Sequence, residues 1–341
     1  MDKQIVFTEK YKAELLDVES QVMGDDQIRV KTLFSTISNG TEKANLIGET
    51  SISVLEKATD EAVFPRCVGY STSGIIVEKG KNVTEFEVGD RVAMAWTKHR
   101  SYNVIDAKKA TKIEGDVGFD EASMAHIATF PLAAVRKTRV ELGESAMVMG
   151  LGILGLLAVG FLKCAGAVPV IAVDPVKERR EKALKFGADF AFDPFDADFV
   201  EKVKAVTKKG VNVAIEVTGQ GAGLNETLDC MAKFGRVALL GCTRNSDFAV
   251  DYYRKVHGPG ITLIGAHTNV RPSYESYPAY FTVTDDMRTV LDLCAMGRLD
   301  LKSLTDEIHA PEECEEVFKR LAFDKNFPPI VQIDWASVHN K

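Results

Sequence analysis

Hydrophobic and polar positions change rhythm twice along the 341 residues. Up to about residue 125, short apolar and β-branched runs alternate with turn signals. Segments 27–33, 74–78 and 91–96 read as strands, with Lys79-Gly80-Lys81-Asn82 and Gly89-Asp90 as turns. Between about 120 and 300 the pattern becomes alternating helix and strand. Segment 120–140 has Ala-rich helical spacing, and 177–187 is a helix ended by its glycine. Segments 211–217, 236–240 and 262–264 read as strands. Beyond 270, segments 285–296 and 311–321 are amphipathic helices, and 330–335 is a closing strand. This order predicts an α/β chain: a doubly wound parallel sheet, flanked on both sides in sequence by a β-rich domain.

The sharpest local signal lies inside the alternating region. The apolar run Met147-Val148-Met149 ends in Gly150-Leu151-Gly152-Ile153-Leu154-Gly155, and an apolar segment follows through Leu162. A second apolar run, 168–173, ends on Asp174. Strand, glycine turn, helix, strand and acid make the Rossmann unit, which holds a dinucleotide pyrophosphate on a helix N-terminus and the adenosine ribose on a carboxylate. Gly150 permits the turn, Gly152 lets main-chain N–H groups reach the phosphates, and Gly155 lets the helix lie against the sheet. Asp174 follows the last glycine by 174 − 155 = 19 residues, against about 20 for a ribose-binding acid. A carboxylate there favours NAD and repels the 2′-phosphate of NADP, a repulsion that Lys177, Arg179 and Arg180 would soften.

Composition narrows the partners. A hydrophobic share of 45% and a charged share of 27% describe an ordinary globular protein, long enough for two cores. A net charge of −7 argues against nucleic acid or an anionic membrane as partner. The N-terminus carries no apolar signal core, and the most apolar stretch, 146–173, is broken by glycines, Lys163 and Pro169, so a cytoplasmic protein is expected. Six cysteines without a C-x-x-C pair form neither a disulfide framework nor a zinc knuckle.

Nearly the whole chain resembles the medium-chain dehydrogenase/reductase superfamily. The matching stretches are Phe64-Pro65, Gly69, Gly74, Val77-Glu78-Lys79-Gly80, Val83, Phe86 and Gly89-Asp90-Arg91-Val92, then Gly150 to Gly155 with Asp174. Gly187-Ala188-Asp189, Val211 to Gly219, Gly235-Arg236-Val237 and Gly241 continue the series in order. The resemblance implies a chaperonin-10 (GroES)-like catalytic domain over 1–125 and 268–341 and a Rossmann domain over 126–267, assembled as homodimers or homotetramers. The ligand cleft is expected at the carboxyl ends of the Rossmann strands.

Most alcohol, polyol and threonine dehydrogenases of that superfamily carry zinc, and here the sequence departs. On an ungapped reading the ligand positions hold Asn39, Tyr70 with Ser71, and Ala125, none a thiolate, imidazole or carboxylate. The four-cysteine structural lobe is missing after Arg91-Val92. No zinc is expected in either place. The alternative is an unconventional set made of Cys67, His99 and His126.

The resemblance gives Thr41 the place of the Ser/Thr that relays the substrate proton, and Glu42 the place of an acid that braces the lost histidine. Thr41 equally reads as the cap of a helix starting near Glu42. With Tyr70 at the histidine position, Glu42 is a candidate to orient the phenol or act as base, and His126 a candidate acid or base. Trp96, His99 and Tyr102 are expected on the substrate side. Thr129 matches a residue that touches the nicotinamide, and Arg179 one that reaches the ribose or its phosphate. Val217, Thr218, Gly219, Gly241, Cys242, Ala266 and His267 end the later strands, where a dinucleotide crosses the sheet. The expectation is an NAD(H)-dependent oxidoreductase that interconverts a secondary alcohol and a ketone on a small sugar- or polyol-like molecule. An NADPH-dependent enone or quinone reductase and a non-catalytic dinucleotide-binding redox sensor are the alternatives.

Overall fold

The computed structural model describes residues 1–52, 61–244, 246 and 248–340. The chain divides into two compact units, Met1–Ile127 with Val283–Lys341, and Ala128–Thr282. The divisions fall at 127/128 and 282/283, against expected boundaries of 125/126 and 267/268. Residues after the last parallel strand stay with the second unit through two side chains. The Arg271 guanidinium donates to the Thr129 carbonyl at 2.9 Å, and the Arg136 guanidinium lies 3.7 Å from the centre of the Phe281 ring.

The first unit holds a seven-stranded sheet. Its order is Glu307–His309, Val331–Asp334, Gln27–Thr36, Ser71–Lys79, Arg91–Ala95 and Ala110–Lys112, with Tyr102–Asp106 also pairing Gln27–Thr36. A three-stranded sheet, Lys12–Val18, Asp2–Glu9 and Arg66–Cys67, completes the β structure. The C-terminal segment belongs here because its large apolar side chains are needed for the core: Phe318 and Trp335 are fully buried with Ile5, Phe7 and Ile37. The rings of Phe7 and Phe318 meet edge to face, 4.9 Å apart. Register slips along Gln27–Thr36, between Arg29 and Val30 and between Thr32 and Phe34, shift the face presented to the core. Beyond the second slip, Ser35, Thr36, Ile37 and Ser38 are all buried, and the chain passes straight into helix Asn39–Leu46.

The second unit is the parallel six-stranded sheet predicted from the alternation. Strands run in the order Phe190–Phe192, Val170–Val173, Ala146–Met149, Val211–Glu216, Met231–Leu239 and Thr262–Gly265. Its central strands are apolar on both faces, and Met147, Val148, Ile171, Ala172, Ala214 and Ile215 have no exposure at all.

One expected helix is two. Segment 120–140 forms Phe119–Ser123 and Ala125–Thr138, with the break at Met124. The Ser123 hydroxyl donates to the Asp120 carbonyl at 2.8 Å, and the Ser123 carbonyl accepts from the Ser71 hydroxyl at 2.6 Å instead of continuing the ladder. Among the described residues, no helix is long and apolar enough to cross a membrane.

Candidate functional site

The nucleotide-like cradle lies in the second unit. Gly150 has φ +98°, which a side chain would strain, and a Cβ at Gly155 would stand 1.8 Å from the Gly150 carbonyl oxygen. Helix Ile153–Cys164 therefore begins tight against the strand end. Leu156 makes the first return bond, to the Gly152 carbonyl at 3.0 Å. The N–H groups of Ile153, Leu154 and Gly155 are then the helix's outward donors, the arrangement that suits an anion. Leu151 differs from expectation. Its side chain is buried and its N–H donates to the Asp174 carboxylate at 2.8 Å, so it braces the loop instead of facing a phosphate.

Asp174 follows strand Val170–Val173 and is only 4% exposed. Its second oxygen accepts from the Val176 N–H at 2.8 Å, and the Arg179 guanidinium stands 3.8 Å away. Two main-chain donors hold the carboxylate in place, with a cation nearby, and lone pairs remain for a ribose hydroxyl.

Glu216 was not among the expected site residues. This buried carboxylate at the end of Val211–Glu216 accepts from the N–H groups of Thr218 at 2.8 Å and Gly219 at 3.2 Å, and from the Thr218 hydroxyl. Burial pushes its pKa above the usual carboxylate range, opposed by those same bonds. It fixes the turn Val217-Thr218-Gly219 beside Gly150: a Cβ on Gly150 would lie 3.0 Å from Thr218 Cγ2. Gly241 and Cys242 close onto this turn, since a Cβ on Gly241 would meet the Gly219 nitrogen at 2.2 Å, and one on Gly219 the Cys242 carbonyl at 2.8 Å. The signal in sequence is the lone acid ending Val-Asn-Val-Ala-Ile-Glu.

Ala266 is buried after the last strand, its N–H bonded to the Leu239 carbonyl. His267 follows; burial lowers its pKa, and Lys137 lowers it further. Thr129, expected against the nicotinamide, is fully buried, with its carbonyl taken by Arg271, and presents no surface to a ligand.

The second constellation belongs to the first unit and gathers Tyr70, Trp96 and His126. Ring centres lie 5.5 Å apart for Tyr70 and His126, 4.7 Å for Trp96 and His126, and 6.0 Å for Tyr70 and Trp96. The Tyr70 carbonyl ties them, accepting from the Trp96 N–H at 2.9 Å and from His126 Nδ1 at 2.6 Å. A carbonyl only accepts, so His126 carries a proton on Nδ1, and its ring is fully buried. Trp96 is 41% exposed with φ +59°, an unusual state for a bulky side chain and one often found at ligand sites.

The phenol's partner is not the one expected. Tyr70 Oη donates to the hydroxyl of Ser38, not to Glu42. Helix Asn39–Leu46 starts three residues before Glu42, so Thr41 lies inside its first turn and is no cap. Glu42 and His99 are buried core residues: His99 Nε2 meets Glu42 Oε2 at 3.0 Å, and His99 Nδ1 meets the Ser35 hydroxyl at 2.8 Å. Trp335 Nε1 donates to that same Ser35 oxygen at 2.9 Å. His99 is therefore no pocket wall. Tyr102 also leaves the group, packing edge to face on His339 at 5.2 Å with the Arg29 guanidinium 4.9 Å from its ring centre.

Cys67, His99 and His126 do not converge. Both ring nitrogens of His99 are engaged inside the core, while Cys67 is exposed on strand Arg66–Cys67. Among the described residues, no three His, Cys, Asp or Glu side chains are grouped to hold a metal ion.

Comparison with known proteins matches this architecture. Residues 24–139 fit the family described as alcohol dehydrogenase GroES-like domain, and residues 154–283 the one described as zinc-binding dehydrogenase. The chain is 26% identical over 323 residues to D-guloside 3-dehydrogenase of Escherichia coli (strain K12), covering 90% of this chain and 92% of that protein. It is 31% identical over 345 residues to L-threonine 3-dehydrogenase of Pyrococcus horikoshii, covering 92% and 93%. The crystal structure of 2R,3R-butanediol dehydrogenase from Bacillus subtilis superposes with a TM-score of 0.82 at 20% identity, over 98% of this chain and 100% of that one.

Proposed function

Because the chain belongs to the medium-chain dehydrogenase/reductase superfamily, in its zinc-type alcohol dehydrogenase branch, we propose that it is an NAD(H)-dependent, zinc-independent oxidoreductase acting on a sugar or polyol derivative. It interconverts a secondary alcohol and a ketone. The observation that carries the cofactor side is Asp174, a carboxylate held by Leu151 and Val176 at the end of its strand. Facing a ribose, it accepts from the hydroxyls and repels a 2′-phosphate. The N–H groups of Ile153, Leu154 and Gly155 hold the pyrophosphate. The nicotinamide supplies the hydride acceptor or donor when bound.

Zinc independence is supported by the donors at the three ligand positions. Asn39 spends its amide on the carbonyls of Pro328 at 2.9 Å and Pro329 at 3.2 Å, Tyr70 is a phenol bonded to Ser38, and Ala125 has no donor. A tetrahedral zinc site wants thiolate, imidazole or carboxylate, so these residues do not fit the metal. The oxyanion is steadied by side chains instead. Tyr70 donates to the substrate oxygen and yields its proton in the reducing direction, and the buried His126 ring orients it from behind through its bond to the Tyr70 carbonyl. The half-exposed Trp96 ring offers an apolar face to the C–H side of a sugar. That the relatives include a guloside dehydrogenase supports the substrate class.

Titration with NADH and NADPH, followed by a panel of glycosides, polyols and sugar acids from pH 6 to 10, tests the reading. NADH is expected to bind at least tenfold tighter. The reverse preference would move the assignment to an NADPH-dependent reductase of activated double bonds, and binding without any turnover would leave a cofactor sensor. A homodimer or homotetramer in the cytoplasm completes the proposal.

A further inference from the structure

We propose that Ser38 is the positioning residue for the Tyr70 phenol, a proposal that rests on the alcohol–ketone reading above. Ser38 occupies the N-cap of helix Asn39–Leu46, yet its side chain caps no main-chain N–H. Serine at that place ordinarily accepts from the second or third N–H of the helix. Here the hydroxyl turns aside and accepts from Tyr70 Oη.

The surroundings hold it there. The Ser38 N–H donates to Glu42 Oε1 at 3.1 Å, and the Ser38 carbonyl accepts from the Glu42 N–H at 2.8 Å, so one residue grips both of its main-chain groups. Glu42 is held by His99, His99 by Ser35, and Ser35 by the Trp335 indole, every member buried. The indole only donates, so Ser35 accepts from it, and the His99 ring bridges that hydroxyl to the Glu42 carboxyl. This run of hydrogen bonds ends at the phenol and fixes where its oxygen sits.

The hydroxyl does more than hold position, because it both accepts and donates. With a ketone bound, the Tyr70 O–H turns from Ser38 to the substrate oxygen; on reduction the carbonyl carbon would receive the hydride that a dihydronicotinamide supplies, and its oxygen the Tyr70 proton. The Oη–H bond breaks, the product O–H bond forms, and a phenolate remains. Ser38 then rotates its own O–H to donate to that phenolate and keeps its proton, and solvent reprotonates Tyr70. Oxidation runs the same steps backwards. The other titratable neighbours on this unit are His126, edge-on to the Tyr70 ring, and Glu42, one hydrogen bond behind Ser38.

Two measurements decide it. With whichever glycoside or polyol the enzyme turns over, Ser38→Ala should lower kcat about 10- to 100-fold with KM within about twofold. Ser38→Thr, which keeps the hydroxyl, should recover most of the loss. In a Tyr70→Phe background Ser38→Ala should cost nothing further, since the group it serves is gone. The second measurement needs no substrate, so it stands even if the proposed activity fails. Tyrosinate absorbance of wild type minus Tyr70→Phe is titrated, and Ser38→Ala should move its midpoint up by about one pH unit. An unmoved midpoint, or an equal kcat loss in both backgrounds, overturns the proposal.

Discussion

Glu42 and His99 face each other inside the first unit with 3.0 Å between Oε2 and Nε2, and neither exposes more than 1% of its surface. Both read in sequence as residues of a reactive pocket, yet they act as a buried polar strut. Removing one partner of such a pair strands the other and costs about 3–5 kcal/mol. His99→Ala should therefore lower the free energy of unfolding by that order, read from the urea midpoint. His99→Gln, whose amide still donates one hydrogen bond to Glu42, should lose less. A loss under about 1 kcal/mol in His99→Ala would contradict the strut.

Two glycines three residues apart in one motif should respond in opposite ways. A Cβ at Gly155 would overlap the Gly150 carbonyl at 1.8 Å, whereas one at Gly152 meets nothing within 4 Å. Gly155→Ala should thus destabilise the fold by about 2 kcal/mol or more through forced movement of helix Ile153–Cys164. Gly152→Ala should keep the melting temperature and weaken NADH at least tenfold, because the methyl fills the approach of a phosphate. Calorimetry and a fluorescence titration separate the two effects. Normal NADH affinity in Gly152→Ala would place the phosphates elsewhere.

The glycine turn and the acid beside it were legible because their signal is local. Glycine spacing and Asp174 lie within 25 residues, and backbone sterics tie each to one place: 174 − 150 + 1 = 25. The surroundings of Tyr70 were not, because strand pairing assembles them. Tyr70 finds Ser38 32 residues away, and His99 finds Glu42 57 residues away. Thr41 read equally as a helix cap, but the helix begins at Asn39, and Ser38 is the residue at its start whose hydroxyl meets the phenol. Tyr102 shows the same limit. It sits opposite Lys31 in its strand pair, beside Arg29, a register that no single segment encodes. The break at Met124 depends on a Ser71 hydroxyl from a distant strand.

Acid should loosen one clamp in particular. Arg320 grips Glu307 with two bonds of 2.9 Å, and with help from His309 it holds the carboxyl down from 4.5 to about 2. A depressed folded value means that stability from this pair is fully present above pH 4.5 and is lost as pH falls toward 2. Both side chains are about a third exposed, so solvent screening leaves it at about 1 kcal/mol. Arg320→Gln should unfold more easily than wild type at pH 6, and the gap should close near pH 2. A gap that persisted there would mean the loss comes from packing and not from charge.

Metal removal should change little, and the reason lies in side-chain chemistry. At the three positions that the ungapped sequence reading matches to zinc ligands, this chain has an amide committed to two proline carbonyls, a phenol bonded to a serine, and an alanine. None supplies the anionic sulfur, imidazole or carboxylate that gives zinc its affinity. The imidazole of His126, packed on the Tyr70 ring, orients its Nδ1 on the Tyr70 carbonyl. A single nitrogen does not hold the metal against a strong chelator. Dialysis against EDTA should therefore leave kcat within about twofold, with well under one zinc per chain by elemental analysis and no gain when zinc is added. Loss of most activity on chelation, restored by stoichiometric zinc, would mean that ligands gather in a way this donor set does not provide.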